Sequence, residues 1–349
     1  MYTRHHSTWT RRSFLKTTGA SLAALGIFGF HRDLALAAEG ALRKLDTSGT
    51  LPSPRFNHTA IYDSINNRML VFGGRGDAGI TNDLWALNLR DLSWQNITPN
   101  GVAPAARFGH NAIFDPNRRR MIIYAGQGSK FFNDTWAFDA GTNTWQDISP
   151  TNEKERPQVR YGSVMVYDSK EQRGVSFAGF TDQGRFDDTQ AFKLSEMTWK
   201  DISPTSNGVR PQRRCLHTGV YDSRGHQLAI FGGQSSGALG DTWLFELNDN
   251  TWHEVQSEKS PDKRFFAASV YDPTKNQMIL LGGSGSERFD DAWALDLNKS
   301  KWSLLTLDGA RPSARHSHSM VFIEVDRKIL IFGGNGPSSL NDTWELKLA

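Results

Sequence analysis

Arg214-Cys215-Leu216-His217 opens a stretch that runs through Tyr221-Asp222, Phe231-Gly232-Gly233 and Asp241-Thr242-Trp243 and closes on Trp252. The same order of landmarks is written six times. The leading segment recurs as Arg55-Phe56-Asn57-His58, Arg107-Phe108-Gly109-His110, Arg160-Tyr161-Gly162-Ser163, Arg264-Phe265-Phe266-Ala267 and Arg315-His316-Ser317-His318. The glycine corner recurs as Gly73-Gly74, Ala125-Gly126, Ala178-Gly179, Gly282-Gly283 and Gly333-Gly334. An Asp follows each corner, at Asp83, Asp134, Asp188, Asp241, Asp291 and Asp342, with Trp two residues later except at Gln190. A second Trp closes the other complete units at Trp94, Trp145, Trp199 and Trp302. A fixed period of this kind marks one supersecondary unit repeated, and it outranks any local reading of helix or strand.

Each unit holds four short segments rich in aromatic and branched residues, separated by Gly, Pro, Asn and Asp, which is the pattern of a four-stranded antiparallel meander. One such sheet cannot bury both faces, but six around an axis bury them against one another. The reading is therefore an all-β, six-bladed β-propeller over residues 38–349, with units starting near 54, 106, 159, 213, 263 and 314. The double glycine, the following Asp-x-Trp and the spaced second Trp resemble kelch repeats over 54–349. The sixth unit stops after its third strand. Leu42-Arg43-Lys44-Leu45 stands 13 residues before Arg55, as Trp94 does before Arg107. Residues 41–46 are thus expected to pair with the C-terminal strand, complete the last blade and close the ring, which protects both terminal edges.

With 349 residues, 38% hydrophobic and 22% charged, the composition is that of a soluble globular chain. Residues 1–37 read as an address. Arg11-Arg12 precede Ser13-Phe14-Leu15-Lys16, an uncharged run follows from Thr17 to Phe30, and Ala35-Leu36-Ala37 offers a small-x-small cleavage site before Ala38. This order closely resembles a bacterial twin-arginine (Tat) export signal, which implies the Tat machinery as a partner and a periplasmic or secreted destination. The uncharged run is short for a bilayer span, and no membrane span is expected in the mature chain. The overall charge of +3 would hint at an acidic partner such as nucleic acid. Arg4, Arg11, Arg12, Lys16 and Arg32 against Asp33 account for that excess; the remaining chain has 35 basic and 36 acidic side chains. No nucleic-acid partner is expected. The single cysteine, Cys215, rules out an intramolecular disulfide and every multi-cysteine metal site.

From the leading Arg to the second glycine the interval is 19 residues in all six units, and from the strand-three Trp or Gln190 to the closing Trp it is 9. Length varies only in the closing-Trp-to-Arg connections and the loops after the glycines. Because strand direction alternates, these variable segments share one face of the disc with the leading Arg, the double Gly and the Asp. Loops held on a rigid scaffold are where binding resides, so any function is assigned to this face.

Six Arg and six Asp match in number. Arg55, Arg107, Arg160, Arg214, Arg264 and Arg315 are read first as a structural ring with Asp83, Asp134, Asp188, Asp241, Asp291 and Asp342. The alternative is that some Arg face the funnel and hold a carboxylate, sulfate or phosphate by forked hydrogen bonds. The residues after each corner, Arg75, Gln127, Phe180, Gln234, Ser284 and Asn335, are five polar of six, and the kelch resemblance implies that this position and those near the leading Arg hold ligand. Tyr161 and His316, beside their leading Arg, join them as candidates, with the loop charges Lys130, Arg185 and Arg288. Glu287 is a further non-repeating loop charge. Aromatic faces beside amides suit a sugar or a peptide. His58, His110, His217 and His318 recur at one repeat position and are read as satisfied structural histidines.

No catalytic residue, metal site or cofactor is assigned. The chain has no Tyr-His dipeptide for a galactose-oxidase-like copper site, no Glu/Asp/His run at four-residue steps, no phosphate loop and no Gly-x-Ser-x-Gly elbow. Asp222-Ser223-Arg224-Gly225-His226 is read as a hairpin turn. Two functions remain. The first is an exported module binding a protein, peptide or glycan through the Gly-Gly/Arg face, favoured by short strand-two-to-three loops without a lid. The second is a sugar- or sugar-acid-modifying enzyme, epimerase-like, with its site in the same funnel; it rests on fold analogy alone.

Overall fold

The computed structural model describes residues 39–205 and 208–349; the expected export leader lies outside the described residues. Six sheets, each built on a four-stranded antiparallel core, follow in chain order. Blade 1 is built from Thr59–Asp63, Arg68–Gly76, Gly79–Asn88 and Ser93–Ile97, innermost strand first. The inner strands of successive blades are neighbours around the whole circle, that of blade 6 (Ser319–Ile323) lying beside that of blade 1. Among the described residues the only helix is one 3-10 turn, Glu153–Glu155, in the connection from blade 2 to blade 3.

The ring closes as the repeat count requires. Gly40–Lys44 pairs antiparallel with Ser339–Leu348, Leu42 opposite Leu346, and so supplies the fourth strand of blade 6. The edge of that strand is covered in turn by Leu307–Gly309, which runs parallel to it on the way from blade 5 into blade 6. Ser48–Gly49 does the same for the outer strand of blade 1, and Asn100 bridges Thr144 in blade 2. Connections between blades thereby shield edges that would otherwise offer unpaired N–H and C=O groups.

Six hydrophobic clusters are buried, one per interface between neighbouring blades. The closing Trp of each unit explains its position. Trp94, Trp145, Trp199, Trp252 and Trp302 lie against Phe332, Phe72, Tyr124, Phe177 and Phe231, with centroids 4.4 to 5.3 Å apart. Each partner is the aromatic residue just before the glycine corner of the preceding blade. Such pairs contribute about 1 kcal/mol beyond the apolar area they bury.

The constant intervals are constant turns. Asp63, at the end of its inner strand, accepts the amides of Ile65 and Asn66, and Asn67 takes a left-handed φ of 50° before the next strand begins. The corresponding residues Arg119, Gln172, His226, Asn276 and Arg327 are left-handed too, so Asp222 to His226 is one of these turns. The glycine corner is fixed by contact as well as by φ. A Cβ on Gly74, φ 99°, would stand 2.7 Å from the Cβ of His58, and Gly126 meets His110 at the same distance. At the first corner position a Cβ on Gly73, Gly232, Gly282 or Gly333 would stand 2.6 to 2.9 Å from a carbonyl oxygen of the next blade, whereas blades 2 and 3 carry Ala125 and Ala178 there at φ 62° and 57°.

Candidate functional site

The leading Arg, the corner and the Asp-x-Trp form one network in each blade. Arg55 donates from Nη1 to Asp83 Oδ1 at 2.7 Å and from Nη2 to Oδ2 at 2.8 Å, and Nη1 also reaches the Gly73 carbonyl at 3.0 Å. Trp85 donates its indole N–H to the same Asp83 Oδ2 at 2.6 Å. Arg107, Arg160, Arg214, Arg264 and Arg315 repeat the fork on Asp134, Asp188, Asp241, Asp291 and Asp342. All six Arg are at most 1% exposed. Burial works against the Asp83 carboxylate, but the Arg55 and Trp85 hydrogen bonds and the Arg55 charge outweigh it and bring its pKa to about 2. Every leading guanidinium is thus committed within its own blade and turned away from a ligand in the funnel.

The residue after the leading Arg and the residue after the corner, 19 positions apart, are backbone partners. Phe56 N–H donates to Arg75 O at 2.8 Å and Arg75 N–H returns to Phe56 O at 3.0 Å. The same bridge joins Phe108 to Gln127, Tyr161 to Phe180, Cys215 to Gln234, Phe265 to Ser284 and His316 to Asn335. Twelve residues from six blades are therefore paired at one level on this face, the Phe108 and Cys215 side chains being buried. Arg75 is exposed and lies over the rings of Phe56 and Phe108, 5.3 and 5.0 Å from their centroids. Arg185 covers Phe180 at 5.5 Å and reaches Gln234 Oε1 at 3.5 Å, crossing from blade 3 to blade 4. Arg288 donates to the Gly336 carbonyl of blade 6. Burial, with Arg288 nearby, lowers the His316 pKa, and its ring stacks on Phe266 at 5.6 Å. Burial also pushes the Tyr161 hydroxyl pKa upward. Lys130 is exposed at a loop tip of blade 2; Cys215 is buried, its thiol pKa raised by burial.

Directly below the mouth lies a feature that residue types conceal. Asn57, Gly109, Gly162, Leu216, Phe266 and Ser317, each two residues after a leading Arg, all have φ between 53° and 66°. Each N–H donates to the carbonyl of the corresponding residue one blade back, at 2.7 to 2.9 Å, and Asn57 closes the circle on Ser317. Six residues of five types carry one closed collar of hydrogen bonds. Gly109, Gly162 and Asn57 are the hints of it in the sequence, since a left-handed φ favours glycine and then asparagine.

The collar and the residues below it line an axial cavity of about 140 Å³ that includes His58, His110, His217 and His318. Here the sequence reading needs correction, because only two of the four histidines have a partner. His110 Nε2 meets Thr59 Oγ1 of the preceding blade at 2.8 Å, and His58 Nε2 meets Ser319 Oγ at 2.8 Å. His217 and His318 have neither ring nitrogen bonded, among the described residues. The positions equivalent to Thr59 are Val164 and Ala268 in the blades that precede them. Burial, reinforced by the nearby leading Arg, lowers the pKa of His58 and of His217 to about 3, and drives His110 and His318 well down. These imidazoles are neutral.

At the opposite end the axis opens into an apolar basin of about 370 Å³ ringed by Tyr62, Phe114, Tyr167, Tyr221, Tyr271 and Phe322. Among the described residues there is no cluster of three or more His, Cys, Asp or Glu placed to hold a metal ion, and no helix is long and apolar enough to cross a membrane.

The family described as the KLHDC2/KLHL20/DRC7 Kelch-repeats domain matches residues 37–207, 76–256 and 202–349. Over 230 residues the chain is 27% identical to the leucine-zipper-like transcriptional regulator 1 homolog of Drosophila melanogaster, covering 62% of this chain and 23% of that protein. It is 25% identical over 231 residues to human host cell factor 1, covering 61% of this chain and 11% of the relative. It is 29% identical over 222 residues to the flagellar outer-arm dynein alpha chain of Chlamydomonas reinhardtii, covering 58% and 5%. The matched stretch is less than a quarter of the length of each of these three relatives. With six blades, each tied by Arg, Gly and Asp-x-Trp or Asp-x-Gln, the chain belongs to the kelch-repeat family.

Proposed function

We propose that this propeller is an exported binding module that holds a protein or peptide segment across the funnel mouth on the Gly-Gly/Arg face. The observation that carries the reading is the ring of bridged pairs. The scaffold below it repeats six times, whereas the bridged positions carry Arg75, Gln127, Phe180, Gln234, Ser284 and Asn335 opposite Phe56, Phe108, Tyr161, Cys215, Phe265 and His316. Aromatic faces with amides and guanidinia at fixed spacing provide packing and orientation together. The leading Arg do not enter this role, since the Asp of their own blades hold them. Similar propellers form small shares of proteins as differently titled as a dynein chain and a host cell factor, which favours a reusable recognition surface over one fixed chemistry. Arg11-Arg12 and the uncharged run behind them carry the export part of the proposal.

Selection of a displayed random peptide library on the purified protein, repeated with Arg75→Ala and Gln127→Ala, tests the face. Loss of the enriched peptides in both variants is expected; retention of their affinity would place binding elsewhere. For export, replacing Arg11-Arg12 by two Lys residues should retain the protein in the cytoplasm of an expressing bacterium with a Tat pathway. Unchanged export would refute that assignment.

A further inference from the structure

Blade 3 is the one unit whose strand-three Trp is missing. In the other five blades Trp85, Trp136, Trp243, Trp293 and Trp344 donate an indole N–H to the blade Asp at 2.6 to 2.8 Å. Gln190 keeps that bond, Nε2 donating to Asp188 Oδ2 at 3.0 Å. In covalent terms Gln Nε2 and Trp Nε1 stand four bonds from their Cα atoms. The glutamine therefore reproduces the pyrrole edge of the indole and omits its six-membered ring.

The omitted ring leaves room. A pocket of about 540 Å³ opens beside Gln190, floored by Trp199 and Phe186 and walled by the connection that carries the 3-10 turn. Gln190 pairs with Asp201 and Phe192 with Trp199 across the outer two strands, so Gln190 and Trp199 share a face. Trp199 is half-buried, whereas Trp94, Trp145, Trp252 and Trp302 are 1 to 7% exposed. Polar groups edge the pocket. Asp201 and Gln158 are exposed, Arg156 uses only Nε on the Pro150 carbonyl, and the Gln190 amide oxygen accepts no hydrogen bond among the described residues.

We propose that this pocket on blade 3 is a saccharide site that takes one pyranose ring, its C–H face on Trp199 and its hydroxyls on Gln158, Gln190, Asp201 and Arg156. A sugar ring fits both halves of the lining, an aromatic floor and a rim of amide, carboxylate and guanidinium. An aromatic side chain of a partner would satisfy the floor and strand the rim. The site lies at the outer shoulder of one blade and is separate from the mouth proposed above.

The test uses saturation-transfer NMR on the full-length chain, with the methyl glycosides of glucose, galactose, N-acetylglucosamine and glucuronic acid and with N-acetyltryptophanamide as probes. Transfer to the ring protons of at least one glycoside is expected. Gln190→Trp restores the residue of the other five blades, so the variant should fold and lose the signal. Gln158→Ala, at an exposed rim position, should weaken binding about fivefold, the value of one hydrogen bond. No transfer to any glycoside, transfer to N-acetyltryptophanamide alone, or undiminished transfer in Gln190→Trp would each overturn the proposal.

Discussion

Ala268→Ser should stabilise this protein. His318 is 6% exposed with both ring nitrogens unbonded, and it faces the blade that carries Ala268. The equivalent position in blade 6 is Ser319, whose Oγ lies 2.8 Å from His58 Nε2. A serine at 268 adds one oxygen at the place where a partner is missing, on a side chain small enough not to crowd the interface. A buried polar atom without a partner costs about 1 to 3 kcal/mol, and a new hydrogen bond contributes about 1 kcal/mol net. In a chain of this size that corresponds to a rise of roughly 2 °C in Tm. The reverse change is Thr59→Ala, which strips His110 Nε2 of its 2.8 Å partner and should cost about 1 to 2 kcal/mol. Urea titration of both variants, followed by tryptophan fluorescence and circular dichroism, measures the pair. An unchanged midpoint in both would mean that these interblade hydrogen bonds carry no stability, and the account of the histidine row would fall.

Stability should also drop in acid. The four buried histidines have folded pKa values below 6.5, about 3 for His58 and His217. A base whose folded pKa is depressed contributes stability that is complete above its unfolded pKa and is lost as pH falls from about 6.5 toward the folded value. The slope is about 1.4 kcal/mol per pH unit for each such group. His217→Gln should flatten it by one group's share in urea midpoints taken between pH 6.5 and 4.5; an equal slope would contradict the assignment. Arg107→Lys replaces a fork of 2.6 and 2.8 Å on Asp134 by a single point charge and should cost about 3 kcal/mol by thermal unfolding. Leu42→Ala, in the strand that closes the ring, should cost about 3 kcal/mol although its cluster partners include Ile331 and Leu346 at the other end of the chain.

The sequence made the architecture legible because the kelch unit writes its own geometry. Constant intervals meant constant turns, and the absent fourth strand of unit six called for Leu42 to Leu45. The face that carries the mouth was legible from the alternation of strand direction, while the positions expected to hold ligand on it came from the kelch resemblance and not from spacing. The collar was hidden because its identity is a backbone conformation, carried equally by Asn57, Leu216 and Phe266. The unpaired histidines were hidden because each depends on a residue one blade away, Val164 for His217 and Ala268 for His318. Repetition of a histidine says where it sits; only the neighbour in space says whether it is bonded. Gln190 was visible as an exception, but its meaning required the pocket that the missing ring leaves.

The proposed site of recognition is the funnel mouth. It is tested most directly by photo-crosslinking the tightest peptide from the library selection, carrying a benzophenone, to the wild-type protein and mapping the adducts. Adducts at Arg75, Phe108, Gln127 and Gln234 are the expected result. Adducts confined to the opposite basin, at Tyr62, Tyr167 or Tyr271, would contradict it.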